Sequence, residues 1–166
     1  MPITLDVLKK YPNPYFLETG SYKGTTIQLA LDIGFEKIIS IEIYPFLYNI
    51  CVERFKQNNK VTLYCGDVEL ELEKILVDIK TPVTFWLDAH YSGLGTSKGI
   101  HNDPILQELD IIGRHPIKTH TILIDDIRLM DKKLVTEKVK EINNTYSILF
   151  ENGFEKNDIM VATSIN

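Results

Sequence analysis

Acidic residues stand beside glycine, histidine or a second acid at several points in the chain, and each grouping has a chemistry. The stretch Glu18-Thr19-Gly20-Ser21-Tyr22-Lys23-Gly24-Thr25 follows a short apolar run. Its glycines let the backbone turn tightly and approach a ligand, and the helix start after it offers free N–H groups. The spacing is E-x-G-x-x-x-G rather than G-x-G-x-x-G, and no Lys-Ser/Thr pair follows to make a phosphate loop. Glu18, Gly20, Ser21, Gly24 and Thr25 are therefore candidate ligand contacts of the first turn. Glu42, within Ile41-Glu42-Ile43, closes a second apolar run, where an acid can accept two hydrogen bonds from a ribose diol. Asp67, in Cys65-Gly66-Asp67, suits the N-cap of the next helix, a role compatible with touching a ligand.

A second group of acids follows later. Asp88 stands in Trp86-Leu87-Asp88-Ala89-His90, and Asp125-Asp126 ends Ile124-Asp125-Asp126. If these come from adjacent strand ends, three carboxylates share one space and repel unless a cation neutralises them. Oxygen-only ligands suit Mg²⁺ or Mn²⁺; outward-facing, solvated carboxylates are the alternative.

The elements that must position these residues alternate regularly. Strand-like runs are expected at 15–17, 37–43, 61–65, 83–87 and 121–124, short and apolar throughout, as in a parallel sheet buried on both faces. Helical spacing predicts helices at 25–33, stopped by Gly34, at 46–57, and at 68–79 with Glu69, Glu71 and Glu73 facing water. Asp103-Pro104 predicts a helix start, with an apolar face of Ile105, Leu109 and Ile112 stopped by Gly113. A further helix is expected at 134–144. Two last strand-like runs, 146–150 and 159–163, flank a polar turn with Gly153 and should pair antiparallel. The expected fold is α/β: a Rossmann-like seven-stranded sheet, five parallel β-α units closed by an antiparallel C-terminal hairpin, in one domain spanning 1–166.

Composition narrows the classes. The 166 residues are 44% hydrophobic and 25% charged, close to the globular average, which excludes a disordered or fibrous chain. No apolar run approaches the ~18 residues of a membrane helix, and the first lysines follow rather than precede the short apolar stretch, the wrong order for a signal peptide. A cytoplasmic protein with Cys51 and Cys65 buried and reduced is expected. Eighteen basic against 23 acidic side chains, with no basic stripe, argue against long nucleic acid as a partner.

In register along one chain, these motifs resemble the class I S-adenosylmethionine (SAM)-dependent methyltransferases. The residues that carry the resemblance are Glu18, Gly20 and Gly24 of the first turn, Glu42, the Gly66-Asp67 pair and the terminal hairpin. Glu18 departs from the Asp more usual in the family. The resemblance implies that the first loop holds the methionine part of SAM, Glu42 the ribose and Asp67 the adenine. Asp88 with Asp125 and Asp126 resembles the divalent-metal-dependent sugar O-methyltransferases of the macrocin type, which implies Mg²⁺ held by those three residues against two sugar hydroxyls. Methylating a hydroxyl needs a base within about 3 Å of its proton; His90 is the first candidate and Asp88 the second.

The Gly-rich stretch 91–102 after the fourth strand reads as a lid, with Lys98 and His101 as substrate contacts, or as a plain flexible loop. His115 and His120 should lie at the opposite end of the sheet, and Trp86 and Phe85 in the core. The expected substrate is a small polyhydroxylated molecule, a sugar or glycoside, and a chain this small without a cap could complete its site by self-association. Two other readings compete. A nonenzymatic nucleotide- or SAM-binding module has little reason to gather three acids. A nicotinamide-dependent reductase wants G-x-G-x-x-G and commonly Tyr-x-x-x-Lys, and no tyrosine here has a lysine four residues on.

Overall fold

Seven strands, β1 (Tyr15–Thr19), β2 (Lys37–Glu42), β3 (Val61–Cys65), β4 (Val83–Leu87), β5 (Thr121–Ile124), β6 (Ser147–Glu151) and β7 (Ile159–Thr163), join in one sheet of order β3-β2-β1-β4-β5-β7-β6. The structure is a computed structural model that describes residues 3–89 and 98–164. The first five strands run parallel; β7 is antiparallel to β5, and β6 to β7. This is the seven-stranded Rossmann-like sheet with an antiparallel hairpin that the alternating pattern predicts.

Because side chains alternate across a strand, each strand feeds two cores. Leu17, Ile39, Ile41, Phe85, Leu87, Ile122 and Ile124 meet the apolar faces of α4 (Val68–Leu76), α5 (Ile105–Arg114) and α6 (Lys132–Ile142). Phe16, Ile38, Trp86 and Leu123, one residue out of phase, meet α1 (Leu5–Leu8), α2 (Thr25–Ile33) and α3 (Pro45–Phe55). Each fully buried Leu, Ile or Phe contributes about 1.5–3 kcal/mol, so helices this short are held by packing rather than by propensity. Among the described residues no helix is long and apolar enough to cross a membrane.

Several boundaries differ from the sequence reading, each for a local reason. β1 runs two residues beyond 15–17, because β2 and β4 flank it and keep its backbone paired as far as Thr19. β2 ends at Glu42, and β6 is shifted one residue along. Gly34 ends α2 in the left-handed conformation (φ 100°), as expected, whereas Gly113 lies inside α5, which runs on to Arg114. Cys51 is buried but Cys65, at the end of the edge strand β3, is exposed. Glu73 faces water, while Glu69 and Glu71 are half-buried. The four-residue helix α1 is too short to show a period, and its signal is the Thr4 side chain, which accepts from the Val7 N–H.

His115 and His120 do lie at the far end of the sheet, buried side by side. The Val83 N–H at the start of β4 donates to His120 Nδ1 (3.1 Å), and His115 Nδ1 and His120 Nε2 share a hydrogen bond (2.9 Å). His115 Nδ1 also accepts from the Ile117 N–H, and His115 Nε2 donates to the Ile79 carbonyl. Burial, reinforced by the neighbouring His115 and Lys118, lowers the His120 pKa to about 4. The unfolded chain therefore binds the proton first at this residue, so the His120 contribution to stability is full above pH ~6.5 and falls as pH drops from there toward 4. The raised carboxyls of the sheet act in the opposite direction, so the effect is read as a difference: relative to His120→Asn, the wild type should lose about 2–3 kcal/mol of stability in urea between pH 7 and pH 4.5. The same pH dependence in wild type and variant would contradict this assignment.

Candidate functional site

The chain leaves β1 toward β2 and β3, then returns to the other side of β1 as β4. Open α/β sheets bind ligands in the crevice that such a reversal opens at the carboxyl ends of the strands. Glu18 stands at this point, paired in register with Ser40 on one side and Trp86 on the other, and wholly buried. Ser40 Oγ donates to Glu18 Oε1 (2.8 Å), and the Ser21 and Ser40 hydroxyls are themselves hydrogen-bonded. Glu18 Oε2 has no partner among the described residues. Burial pushes this carboxyl well above the usual carboxylate range against the Ser40 bond, with the charges of Asp88 and Glu42 adding to the rise.

The turn after β1 is a close approach of two backbones. Gly20 donates its N–H to the Ile41 carbonyl (2.9 Å) and has φ 86°; a Cβ there would stand 2.6 Å from the Asp88 carbonyl oxygen. Gly24, the left-handed N-cap of α2 (φ 74°), has the Phe55 ring where a Cβ would go. Thr25 opens that helix and is exposed. Glu42 is nearly buried and clamped: the Tyr22 N–H donates to Oε2 (2.8 Å) and the Tyr44 N–H to Oε1 (2.9 Å). Each oxygen keeps a second lone pair for a ligand hydroxyl. Burial raises the Glu42 pKa, and these N–H donors oppose the rise.

Asp67 caps α4, its Oδ1 accepting from the Glu69 N–H (2.9 Å). Its Oδ2 accepts from the Ile100 N–H (2.7 Å), and His101 Nδ1 meets Glu69 Oε1 (2.7 Å). The end of the Gly-rich stretch is thus strapped to the N-terminus of α4, with Gly99 so close to Asp67 that a Cβ would lie 2.6 Å from Oδ2. His101, expected as a substrate contact, is engaged with Glu69. His90 and residues 91–97 lie outside the described residues.

The acids at the other strand ends form two groups. Asp88 donates its N–H to the Thr19 carbonyl and hydroxyl oxygens (3.2 Å each). Glu108, on the first turn of α5, is buried, and burial with the charges of Asp103, Asp88 and Glu69 raises its pKa to about 8. The sequence reading missed it, although Glu108 interrupts the apolar stripe of Ile105, Leu109 and Ile112.

Of the expected ligand set Asp88, Asp125 and Asp126, the last two stand with Asp158: each of these three presents a carboxylate oxygen within 4.8 Å of the others, and Asp88 lies near enough for its charge to act on Asp125. The reason is the hairpin, which returns antiparallel beside β5 and sets Asp158, just ahead of β7, next to the β5 exit. Burial first, then the Asp88 charge, raises the Asp125 pKa to about 8, and its Oδ1 has no partner among the described residues. An ion with Mg²⁺- or Mn²⁺-like bonds of about 2.0–2.5 Å could touch oxygens so spaced, so the donors fit a hard dication. Arg128 already binds Asp126 and Asp158 from within the chain.

No family model matches the chain, and no curated protein matches it in sequence. Solved structures share the fold. The methyltransferase PaMTH1 of Podospora anserina, with S-adenosylhomocysteine (SAH) bound, is 12% identical and matches over 96% of this chain and 75% of its own, with TM-score 0.65. The O-methyltransferase TomG of Streptomyces achromogenes, involved in tomaymycin synthesis and solved with SAM, is 13% identical over 96% and 77%, with TM-score 0.64. The fibrillarin pre-rRNA processing protein of Methanococcus jannaschii is 19% identical over 90% and 65%, with TM-score 0.55. The chain therefore has the fold of SAM-dependent methyltransferases, a fold that does not by itself choose the acceptor.

The Gly20 contact gives a direct test of the β1–β4 junction. Gly20→Ala should cost about 2–4 kcal/mol, because both φ and the Asp88 carbonyl oppose the methyl. Gly34→Ala, where φ is also positive but nothing lies within 4 Å, should cost only about 1–2 kcal/mol. Equal urea midpoints for the two variants would contradict the close approach.

Proposed function

We propose that the protein is a SAM-dependent O-methyltransferase acting on a small polyhydroxylated substrate, a sugar or glycoside, with Mg²⁺ assisting. The observation that carries this reading is Glu18: a wholly buried acid, one oxygen without a partner among the described residues, at the strand-order reversal beside a glycine turn and the clamped Glu42. An acid kept from water there is suited to a ligand that brings positive charge, and SAM carries an ammonium and a sulfonium. The glycine turn from Gly20 to Gly24, with Ser21 and the first turn of α2 at Thr25, would hold the methionine end. Glu42 would accept from the ribose hydroxyls, and Asp67 would contact adenine.

Bound SAM supplies a methyl group on a sulfonium, open to in-line displacement. The acceptor oxygen forms the new C–O bond as the C–S bond breaks, and its proton must go to a base. Asp88, at the β4 exit, and His90, two residues on, are the proposed acceptors. A divalent ion on Asp125, Asp126 and Asp158 would lower the pKa of a hydroxyl that touches it. Much of the rate would come from holding oxygen and methyl in line, a term that reaches at most ~7–11 kcal/mol. The acidic balance of the chain, without a basic stripe, supports a small acceptor rather than RNA.

Calorimetric titration with SAH, with NAD as the control, tests the reading. SAH should bind and NAD should not; binding of NAD alone would favour the reductase. Asp88→Ala should keep SAH affinity within about threefold and lose at least ~100-fold in methyl transfer to a sugar acceptor, the range expected of a general base. A wild-type protein that binds SAH but methylates no hydroxylated acceptor would favour the nonenzymatic binding module.

A further inference from the structure

The acidic group beyond β5 already contains a cation, and it belongs to the chain. Arg128 Nη1 donates to both Asp126 Oδ1 and Asp158 Oδ2. The backbone fixes the arrangement. Asp126 adopts the left-handed conformation (φ 50°) and starts a single 3₁₀ turn, Ile127–Leu129, that carries Arg128. That turn is tied to the start of β7, since the Ile127 N–H donates to the Asp158 carbonyl (3.1 Å) and the Arg128 N–H to Asp158 Oδ1 (3.4 Å). The carboxylates are the rigid partners: the Asp158 side chain is 0% exposed and Asp125 is 2% exposed. The guanidinium is the movable one, its side chain 35% exposed and lying over the exposed Phe154 ring at 5.8 Å, which offers it a resting place outside the group.

We propose that Arg128 is a resident counter-ion that keeps Asp125, Asp126 and Asp158 together and must be displaced before a divalent cation can bind them, so that it sets the threshold for metal binding. The proposal rests on the metal part of the function proposed above. A guanidinium carries one charge in a planar fork and satisfies two carboxylates without entering their midst. A dication carries two charges and needs the same oxygens at about 2.0–2.6 Å. Asp125 Oδ1, buried and without a partner among the described residues, is the ligand atom Arg128 leaves unused. Arg128 and the metal therefore compete for Asp126 and Asp158, while Asp125 answers only to the metal.

The test is Mn²⁺ titrated into the purified protein without SAM, read as loss of the free-ion electron paramagnetic resonance signal. It compares wild type with Arg128→Gln, Arg128→Lys and Asp125→Asn, each checked for native circular dichroism. Arg128→Gln should bind Mn²⁺ at least about tenfold more tightly than wild type, Arg128→Lys should fall between them, and Asp125→Asn should bind at least about tenfold more weakly. Equal affinity in wild type and Arg128→Gln, with binding still lost in Asp125→Asn, would overturn the role of Arg128 and leave the metal reading standing. Weaker binding in a folded Arg128→Gln would overturn it too, showing a supporting residue rather than a competitor. Binding in none of the four would overturn the inference together with the metal reading.

Discussion

Acidic side chains held away from water are the constraint on which this site depends. Glu18, Glu42, Glu108 and Asp125 are all buried near the carboxyl ends of the parallel strands, and burial is the largest cause of the raised pKa in each. An unpaired carboxylate in such a place shifts its pKa and keeps its proton instead of ionising. Two of them have a partial answer, Ser40 for Glu18 and two N–H groups for Glu42, while Glu108 Oε1 and Asp125 Oδ1 have no partner among the described residues. None of these answers is a cation. At Asp126 and Asp158, by contrast, the chain provides one, through Arg128.

The remainder of the local structure keeps those acids in place. Thr19 ties the exit of β1 to the backbone of Asp88, and the Gly20 N–H ties it to β2. Asp67 ties the start of α4 to Ile100, so that one carboxylate both caps the helix and holds the strap. These are short, directional contacts between backbones, and they explain why glycine stands where a methyl group would meet a carbonyl oxygen.

The sheet and its order of elements were legible because strands buried on both faces write themselves as unbroken apolar runs, and helices as a 3.6-residue period. Glu18, Gly20, Gly24, Glu42 and Asp67 could be singled out as candidates because each sits in or just beyond the last residues of a strand whose position was already fixed. Asp158 could not be found in this way. It precedes the last strand by one residue, and only the antiparallel return of the hairpin brings it beside Asp125. Glu108 and Ser40 did leave a mark, as polar residues inside apolar runs, but a single interruption does not say which neighbour it faces. The reach of β1 to Thr19 was hidden for a related reason: pairing with two flanking strands, not composition, carries the backbone that far.

The central claim, that a buried acid at the strand-order reversal, its carboxyl pushed well above the usual range by burial, awaits a cationic ligand, is tested most directly by proton linkage. SAH would be titrated calorimetrically near pH 7 in two buffers of different ionisation enthalpy, into wild type and Glu18→Gln. Wild type should release a proton on binding as Glu18 ionises beside the ligand's ammonium, so the observed heat should differ between buffers; Glu18→Gln should bind more weakly and lose that difference. Identical heats in both buffers for wild type, or unchanged affinity and proton release in Glu18→Gln, would contradict the account.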